Sequence, residues 1–243
     1  MIKAQHKVWA KLVFHPYLIR LIRKHFFCLY LIEEFQPVDT NVPILLMPNH
    51  STWWDGFFVY VLNYLTYKRP LYVMMLEEQL SKYPFFSKVG AYSIQPGQRA
   101  SVLETMKYSL DILQNVKNPA PLVCLFPQGE MMPASARPIK FRRGFEWLIK
   151  HANTDIMPVL LAMRVEYLEQ QQPEVFFHLN SLGFVKSLKK DELETKLSQT
   201  LDDMLQKIVS GNKGQLLLTG KKSVNQIWDN FTSSVLKIFR DNS

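Results

Sequence analysis

The chain has 243 residues, enough for one sizeable hydrophobic core. Hydrophobic residues make up 47% and charged residues 21%, as in an ordinary folded protein, and no stretch approaches the roughly 18 consecutive apolar residues of a membrane-spanning helix. The formal net charge of +8 predicts an anionic partner, for which nucleic acid, anionic lipid and phosphorylated small substrates all qualify.

The first residues and the two cysteines predict the cellular compartment. The opening MIKAQHKVWAKL lacks an apolar core followed by a small-residue cleavage site, so we expect no signal peptide. Cys28 and Cys124 are far apart and lie in apolar runs, which is typical of buried thiols in a reducing compartment rather than of a disulfide or a metal site. We therefore expect a cytoplasmic protein.

Residues 8–34 have the pattern of one amphipathic helix in which apolar, aromatic and basic side chains are mixed. Such a mixture is typical of a helix that lies in a lipid interface. Pro16 interrupts the pattern, however, and a surface helix packed on the core of its own protein has the same signature. Both interpretations stay open. We divide the chain into an N-terminal helical segment, residues 1–34, and a main domain, residues 35–243.

From Pro43 onwards, short apolar runs alternate with stretches of helical periodicity. This alternation predicts an α/β fold, with a mixed sheet flanked by helices. The predicted strands are residues 44–47, 70–75, 91–94, 122–126, 156–167 and 174–179, and the predicted helices are residues 57–65, 101–114 and 144–152.

The last part of the chain carries two apolar stripes at helical spacing, separated by a loop that contains Gly211, Gly214 and Gly220. Stripes of this kind usually face the core. The first consists of Leu193, Leu197, Leu201, Leu205 and Ile208, and the second of Ile227, Phe231, Val235 and Ile238.

The stretch Met-Pro-Asn-His-Ser-Thr-Trp-Trp-Asp-Gly, residues 47–56, is the most informative. A predicted strand ends at Asn49, and we expect a helix to begin at Ser51 or Thr52, with Ser51 as its cap. His50 then lies at the carboxyl end of a strand, where open α/β sheets place their ligand sites. Asp55, one turn into the helix, could hold the imidazole in one tautomer and stabilise the imidazolium.

A second stretch, Leu-Phe-Pro-Gln-Gly-Glu at residues 125–130, also follows an apolar strand and is expected at the same edge of the sheet. Gly129 permits close approach of the backbone, and the turn can present N–H groups to an anion. A basic cluster follows it, consisting of Arg137, Lys140, Arg142 and Arg143. A Pro-Gly turn before a solvated basic loop gives the same pattern.

Together these stretches resemble the lysophospholipid and glycerolipid acyltransferases, which include the 1-acylglycerol-3-phosphate acyltransferases. The first family block, His, four residues and Asp, often after Asn, matches Asn49, His50 and Asp55. The later block, Phe-Pro-Glu-Gly-Thr-Arg-Ser in the family, matches Phe126, Pro127, Gln128, Gly129 and Glu130 only in part. Between them, Tyr83–Gly90 with Ile94 resembles a third block, with Arg99 approximately placed, and Ile156–Val159 resembles the Val-Pro-Val strand that comes last.

The resemblance implies acyl transfer from acyl-CoA or an acyl-carrier protein to a lipid hydroxyl, with His50 as general base and Asp55 as its orienting partner. We expect the substrates to be bound by Asn49, residues 126–130, Lys140, Arg142 and Arg143. No cofactor and no metal ion are implied, since the donor is a co-substrate. We expect membrane lipids as partners, and a location at the inner face of a membrane.

The departures from the family pattern bear on the acceptor. Where the family has Glu and Arg, this chain has Gln128 and Met131, and Glu130 replaces Thr. We expect either a neutral, hydroxyl-rich acceptor bound by Glu130, which we favour, or lysophosphatidate bound by Arg142 and Arg143 in place of the missing arginine. A family member that binds lipid without turnover and a basic nucleic-acid-binding protein remain as alternatives, the latter without a recognisable motif.

Overall fold

The computed structural model describes residues 1–185 and 187–221. The helices are α1 Val8–His25, α2 Asp55–Leu65, α3 Glu77–Lys82, α4 Arg99–Gln114, α5 Gly144–His151 and α6 Lys190–Val209, with a short 3₁₀ helix at Pro84–Val89. The strands are β1 Cys28–Leu31, β2 Ile44–Pro48, β3 Leu71–Leu76, β4 Ala91–Ile94, β5 Leu122–Cys124, β6 Met157–Glu166, β7 Glu174–Ser181 and β8 Gln215–Thr219.

The strands form one eight-stranded sheet in the order β4-β3-β5-β2-β6-β7-β1-β8. The run from β4 to β6 is parallel, β7 is antiparallel to β6, β1 is parallel to β7, and β8 is antiparallel to β1. The predicted α/β fold with a mixed sheet is therefore confirmed. All carboxyl ends of the parallel run lie at one edge of the sheet, which we name the carboxyl edge, and their amino ends lie at the opposite, amino edge.

Helices cover both faces of the sheet. On one face α1 and α2 bury side chains such as Phe14 and Phe58 against the strands, and on the other α4, α5 and α6 bury side chains such as Leu113 and Phe145. Consecutive residues of β2 point to opposite faces and join the two cores in alternation. Because β2 is buried on both sides, it reads as a continuous apolar run, which is characteristic of a central parallel strand.

The N-terminal helix is shorter than predicted. Its buried residues, Ala10, Phe14, Leu18 and Ile22, follow helical spacing, but α1 ends at His25. The helix predicted over residues 8–34 is wrong beyond that point, since Cys28–Leu31 forms β1 and is hydrogen-bonded between β7 and β8. The division of the chain at residue 34 stays a prediction, although β1 belongs to the same sheet as the main domain.

At the other end of the described chain, α6 buries the predicted stripe, with Leu193, Leu197 and Leu201 in the core. The region predicted as a glycine loop contains β8, which the sequence pattern did not indicate. The second predicted stripe, at residues 227–238, lies outside the described residues. Cys28 and Cys124 are buried free thiols, as predicted. Among residues 1–185 and 187–221, no helix has the length and apolarity needed to cross a bilayer.

Candidate active site

Two loops at the carboxyl edge bring the candidate residues together. The loop after β2 carries His50, and the loop after β5 carries Phe126 and the turn up to Glu130. Because β2 and β5 are hydrogen-bonded neighbours in the sheet, their two loops emerge side by side. The imidazole of His50 packs on the ring of Phe126, with 4.3 Å between the ring centroids. The two sequence blocks therefore form one site.

Asp55 is the most enclosed carboxylate of this site, with 1% of its surface exposed. Oδ2 accepts hydrogen bonds from the backbone N–H groups of Ser51 at 2.6 Å and Thr52 at 2.9 Å, and Oδ1 accepts one from Thr52 Oγ1 at 2.7 Å. These bonds compensate the loss of hydration of a buried carboxylate. They also fix the direction in which Asp55 faces His50.

The helix start differs from the prediction. α2 begins at Asp55, with Trp54 as its N-terminal flanking residue and no side-chain cap. The expectation that Ser51 caps a helix is wrong, because Ser51 lies in a turn before the helix, where its amide and that of Thr52 donate to the Asp55 carboxylate. Asp55 is thus the first residue of the helix, and its charge lies at the positive end of the helix dipole.

His50 is held at its ring and at its backbone. Its Nδ1 lies 2.8 Å from Asp55 Oδ2. Its N–H donates to Gln128 Oε1 at 2.7 Å, and its carbonyl accepts from the N–H of Met132 at 2.8 Å. With an ionised Asp55, the hydrogen-bond network assigns the ring proton to Nδ1, which leaves the lone pair of Nε2 available. The side chain is 25% exposed, so a substrate can reach it.

The turn after Phe126 is closed by a hydrogen bond from Gly129 N–H to the Phe126 carbonyl at 3.1 Å. Gly129 has a φ of +75°, which favours glycine, and a Cβ there would lie 2.4 Å from Nε of Arg142. The Arg142 side chain therefore lies directly over the backbone of this turn. The backbone N–H of Arg142 also donates to the carbonyl of Pro127 at 2.7 Å, which fixes the two segments against each other.

The other cations of the basic cluster face carboxylates. Arg137 pairs with Asp202 at 2.5 Å, Lys140 with Glu194 at 3.6 Å, and Arg143 with Glu146 at 3.8 Å. Arg142 has no such ion pair within residues 1–185 and 187–221. Of the four, it is the cation that both contacts the turn and keeps its charge available for a ligand.

Asn49 and Glu130 lie at the site in different ways. The buried Asn49 exchanges two hydrogen bonds with the backbone of Met163 in β6, so its amide joins the loop to the neighbouring strand. Glu130 is exposed at the rim of the site. Because its carboxylate is exposed to water, it does not by itself exclude a phosphate from the site.

Two residues that support the site, Thr52 and Met132, were not predicted from the sequence. Thr52 supports Asp55 through two hydrogen bonds, and Met132 holds the His50 carbonyl. The pattern Thr-x-x-Asp at residues 52–55, a known signature of helix starts, carried a signal for the first. The contact of Met132 has no sequence signature, because it depends on how the two loops meet. Within the described parts of the chain, no three His, Cys, Asp or Glu side chains converge as a metal ion requires.

A comparison with protein families identifies the class to which this fold and site belong. The acyltransferase family model matches residues 31–162, more than half of the chain. The chain therefore belongs to the acyltransferase family. The match includes both loops of the site and confirms the resemblance that four sequence blocks indicated. A search of curated proteins finds no match.

Proposed function

We propose that the chain transfers a fatty acyl group from acyl-CoA or an acyl-carrier protein to a hydroxyl group of a lysolipid. Acyl transfer as such follows from the family. One observation carries the rest of the proposal, the 2.8 Å contact between His50 Nδ1 and the buried Asp55. It provides a base with an accessible lone pair at the edge of the sheet where α/β proteins bind ligands.

In this mechanism the acceptor hydroxyl donates a hydrogen bond to Nε2 of His50. As its oxygen attacks the thioester carbonyl, the proton passes to Nε2, and the imidazolium is stabilised by Asp55. The tetrahedral intermediate then collapses, the C–S bond breaks, and the leaving thiolate takes the proton from the imidazolium. No covalent acyl-enzyme and no cofactor besides the acyl donor are required.

The oxyanion of the intermediate needs hydrogen-bond donors. The backbone amides nearest to His50 are those of the turn before α2 and those of the turn at Gly129. The amides of Ser51 and Thr52 already donate to Asp55, and that of Gly129 donates to Phe126. In the described chain no hydrogen bond occupies the backbone N–H of Glu130 or Met131, so we assign the oxyanion to these two amides.

For the acceptor, the arrangement of charges favours a phosphate. Arg142 lies over the Gly129 turn without a carboxylate partner in the described residues, whereas Glu130 is exposed and makes no contact that would orient it toward a sugar hydroxyl. An arginine from another segment thus takes the place of the arginine that Met131 replaces. We propose a phosphate-bearing lysolipid of the 1-acylglycerol-3-phosphate type as acceptor, rather than the neutral glycolipid that the sequence favoured.

The proposed place of action is the inner face of a membrane, with the protein bound peripherally. Support comes from α1, whose outward side exposes Val8, Trp9, Leu12, Val13 and Tyr17, and from Trp53, which is exposed three residues after His50. Exposed apolar side chains next to basic ones are typical of surfaces that lie in a lipid interface.

The test is a transfer assay with purified protein, radiolabelled acyl-CoA or acyl-carrier protein, and either lysophosphatidate or a neutral glycolipid as acceptor. We expect diacylated phospholipid, identified by mass, from wild type and none above background from His50→Ala. Acylation of the glycolipid alone would contradict the proposed acceptor. No transfer from either donor to any lipid of the host extract would contradict the proposed function.

A further inference from the structure

A second cleft lies away from His50, between α1, α2 and the start of β3. It has a volume of about 580 Å³ and is lined by Lys11, Tyr60, Tyr64, Lys68 and Arg69, among others. α2 starts at the carboxyl edge and ends before β3, so the cleft lies at the amino edge. It is therefore separated from the candidate active site by the length of the sheet.

The positive charge available in this cleft comes from its two lysines, because the charge of Arg69 is compensated by backbone carbonyls and by the nearby Asp39. In residues 1–185 and 187–221, neither Lys11 nor Lys68 forms an ion pair. The guanidinium of Arg69 donates to backbone carbonyls, including that of Val38, and not to a carboxylate. Burial lowers the pKa of Lys11 because its ammonium is partly removed from water without a counter-charge. An anion bound in the cleft would supply that charge.

Lys68 adds an independent observation. Its backbone φ is +56°, in the left-handed region that glycine and asparagine occupy more easily than lysine. The conformation is held by a hydrogen bond from Lys68 N–H to the carbonyl of Asn63 at 2.6 Å. The turn thereby fixes the backbone of Lys68 at the mouth of the cleft, where its side chain is exposed.

The surroundings of the cleft are apolar. Lys11 is flanked on α1 by Val8, 76% exposed, and Leu12, 71% exposed. On the α2 side, the ring of Tyr64 stacks against His15 of α1, with 3.7 Å between centroids, and it remains half exposed. A cationic cleft that opens beside exposed apolar side chains suits a ligand with an anionic head and an apolar chain.

The direction of α1 relates the cleft to the active site. Near its first turn, Lys7 N–H donates to the carbonyl of Lys88, just before β4 at the amino edge. Its last residue, His25, packs on Trp54 in the turn that follows His50, with 5.3 Å between ring centroids. α1 thus runs from the cleft to the active-site side, so one membrane surface can contact both ends.

We infer that this cleft is a second, non-catalytic site, which binds the phosphate of an anionic phospholipid while its acyl chains lie along the exposed face of α1. The inference rests on the proposed function at a membrane, but binding is measured without turnover. A free phosphate has the same head chemistry, so both sources are tested.

The experiment compares the double variant Lys11→Gln/Lys68→Gln with wild type in co-sedimentation on vesicles of phosphatidylglycerol and phosphatidylcholine, and on phosphatidylcholine alone. Each lysine near an anionic surface contributes roughly 1 kcal/mol, about fivefold in affinity. We expect the variant to lose at least 20-fold in affinity for the anionic vesicles, and Lys11→Arg/Lys68→Arg to retain it. Inorganic phosphate and glycerol 3-phosphate, titrated calorimetrically, test whether a free phosphate binds.

Two control pairs separate a defined cleft from diffuse charge. Arg20→Gln/Arg23→Gln removes two exposed cations of α1 outside the cleft, and Lys107→Gln/Lys150→Gln removes two exposed cations on the other helix layer. Smaller losses than in the cleft variant support the inference, and an equal loss in the Arg20/Arg23 pair overturns it, as does unchanged binding of the cleft variant. If inorganic phosphate binds as tightly as the anionic vesicles do, the ligand of the cleft is a free phosphate and not a lipid.

If the cleft variant binds poorly but acylates a short-chain acceptor dispersed in water at the wild-type rate, the cleft is a separate lipid site. If wild type binds vesicles through Lys11 and Lys68 but shows no acyl transfer at all, the proposed function is wrong and the assignment of the cleft as a lipid site is supported. Circular dichroism and the urea midpoint establish that each variant is folded.

Discussion

Two buried charged groups, Asp55 and Arg69, are bonded in similar ways at opposite edges of the sheet. Asp55 accepts hydrogen bonds from two backbone amides and a hydroxyl at the carboxyl edge. Arg69 donates to the carbonyls of Thr40, Ala120, Val38 and Asp39 at the amino edge. Both satisfy the requirement that a buried charge be compensated by hydrogen bonds.

The difference lies in what each group holds. The Arg69 guanidinium ties together segments of backbone before β2, β3 and β5, and within residues 1–185 and 187–221 its hydrogen bonds go to backbone carbonyls and not to another side chain. Asp55 holds the ring of His50, whose second nitrogen is left without a partner in the described chain and is accessible. Burial and saturation by hydrogen bonds therefore do not distinguish a candidate catalytic group from a structural one. What distinguishes Asp55 from Arg69 is the neighbouring Nε2 of His50, which has no hydrogen-bond partner in the described chain.

The largest effect is expected for His50→Ala. A general base contributes about 10²–10⁴-fold to turnover, so kcat should fall by that factor, while the free energy of unfolding changes by less than about 1 kcal/mol. Turnover is measured with radiolabelled donor, and stability by urea unfolding. Asp55→Asn should be severely impaired as well, with binding of the donor retained. Near-normal turnover in either folded variant would contradict the mechanism.

Arg69→Met should lower stability and leave turnover nearly unchanged, which is the opposite of the result expected for His50→Ala. Hydrogen bonds to a charged group contribute about 1.5–3 kcal/mol each, so the loss of several buried bonds should lower the free energy of unfolding by at least about 3 kcal/mol. The kcat per folded molecule should stay near that of wild type at low temperature. A drop in kcat comparable with that of His50→Ala, at full stability, would assign Arg69 to the chemistry and break the distinction between the two edges.

Arg142→Gln and Glu130→Gln sharpen the description of the carboxyl edge. If Arg142 binds the acceptor phosphate, its loss should cost about 1.5–3 kcal/mol, or roughly 10- to 150-fold in kcat/KM on lysophosphatidate. Glu130→Gln should leave this value unchanged or raise it. Arg143→Gln is the matched control, since Arg143 pairs with Glu146. A large loss in Glu130→Gln on a neutral glycolipid, with Arg142→Gln unaffected, would restore the acceptor that the sequence favoured.

The exposed face of α1 should contribute membrane affinity. Deletion of residues 1–34 would not test this, because it also removes β1 from the sheet. Val8→Ser and Leu12→Ser remove apolar side chains that are 76% and 71% exposed, and burial of one such side chain in a lipid interface contributes about 1.5–3 kcal/mol. We therefore expect each to weaken vesicle binding by about tenfold in co-sedimentation. Wild-type protein that does not bind anionic vesicles at low salt would show that α1 is an ordinary surface helix.

The smallest expected effect concerns pH. Burial, followed by the charge of Lys11, lowers the pKa of His6 to about 4, well below its ordinary value of 6.5. Between about pH 6.5 and pH 4 the unfolded chain binds a proton at His6 and the folded chain does not. Stability therefore falls as the pH decreases through this range. His6→Leu should reduce the loss between pH 7 and pH 5.5 by about 1 kcal/mol, measured by urea unfolding. Burial also lowers the pKa values of His15 and His178, so these two residues should still make the stability of the variant depend on pH.

What the sequence predicts well is local. The central strands appear as apolar runs, and His50 and Asp55 are close enough along the chain for one turn to join them. β1 and β8 were missed because short apolar runs carry no period of their own, and β1 continues the helical pattern of α1. The bonds from His50 to Gln128 and Met132 and the place of Arg142 over Gly129 depend on the adjacency of β2 and β5, which a single sequence does not encode locally.

The position of β1 has a consequence for biosynthesis. β1 follows α1 directly, yet both of its partners, β7 and β8, come from the far end of the described chain. At roughly 5–20 residues per second, translation leaves β1 without partners for roughly 10–40 s after it is made. During that interval α1 can pack on α2 and on the 3₁₀ helix, which are made soon after it, but both edges of β1 stay unpaired. A nascent chain of this design therefore exposes an unpaired apolar strand until nearly all of the described chain has been made.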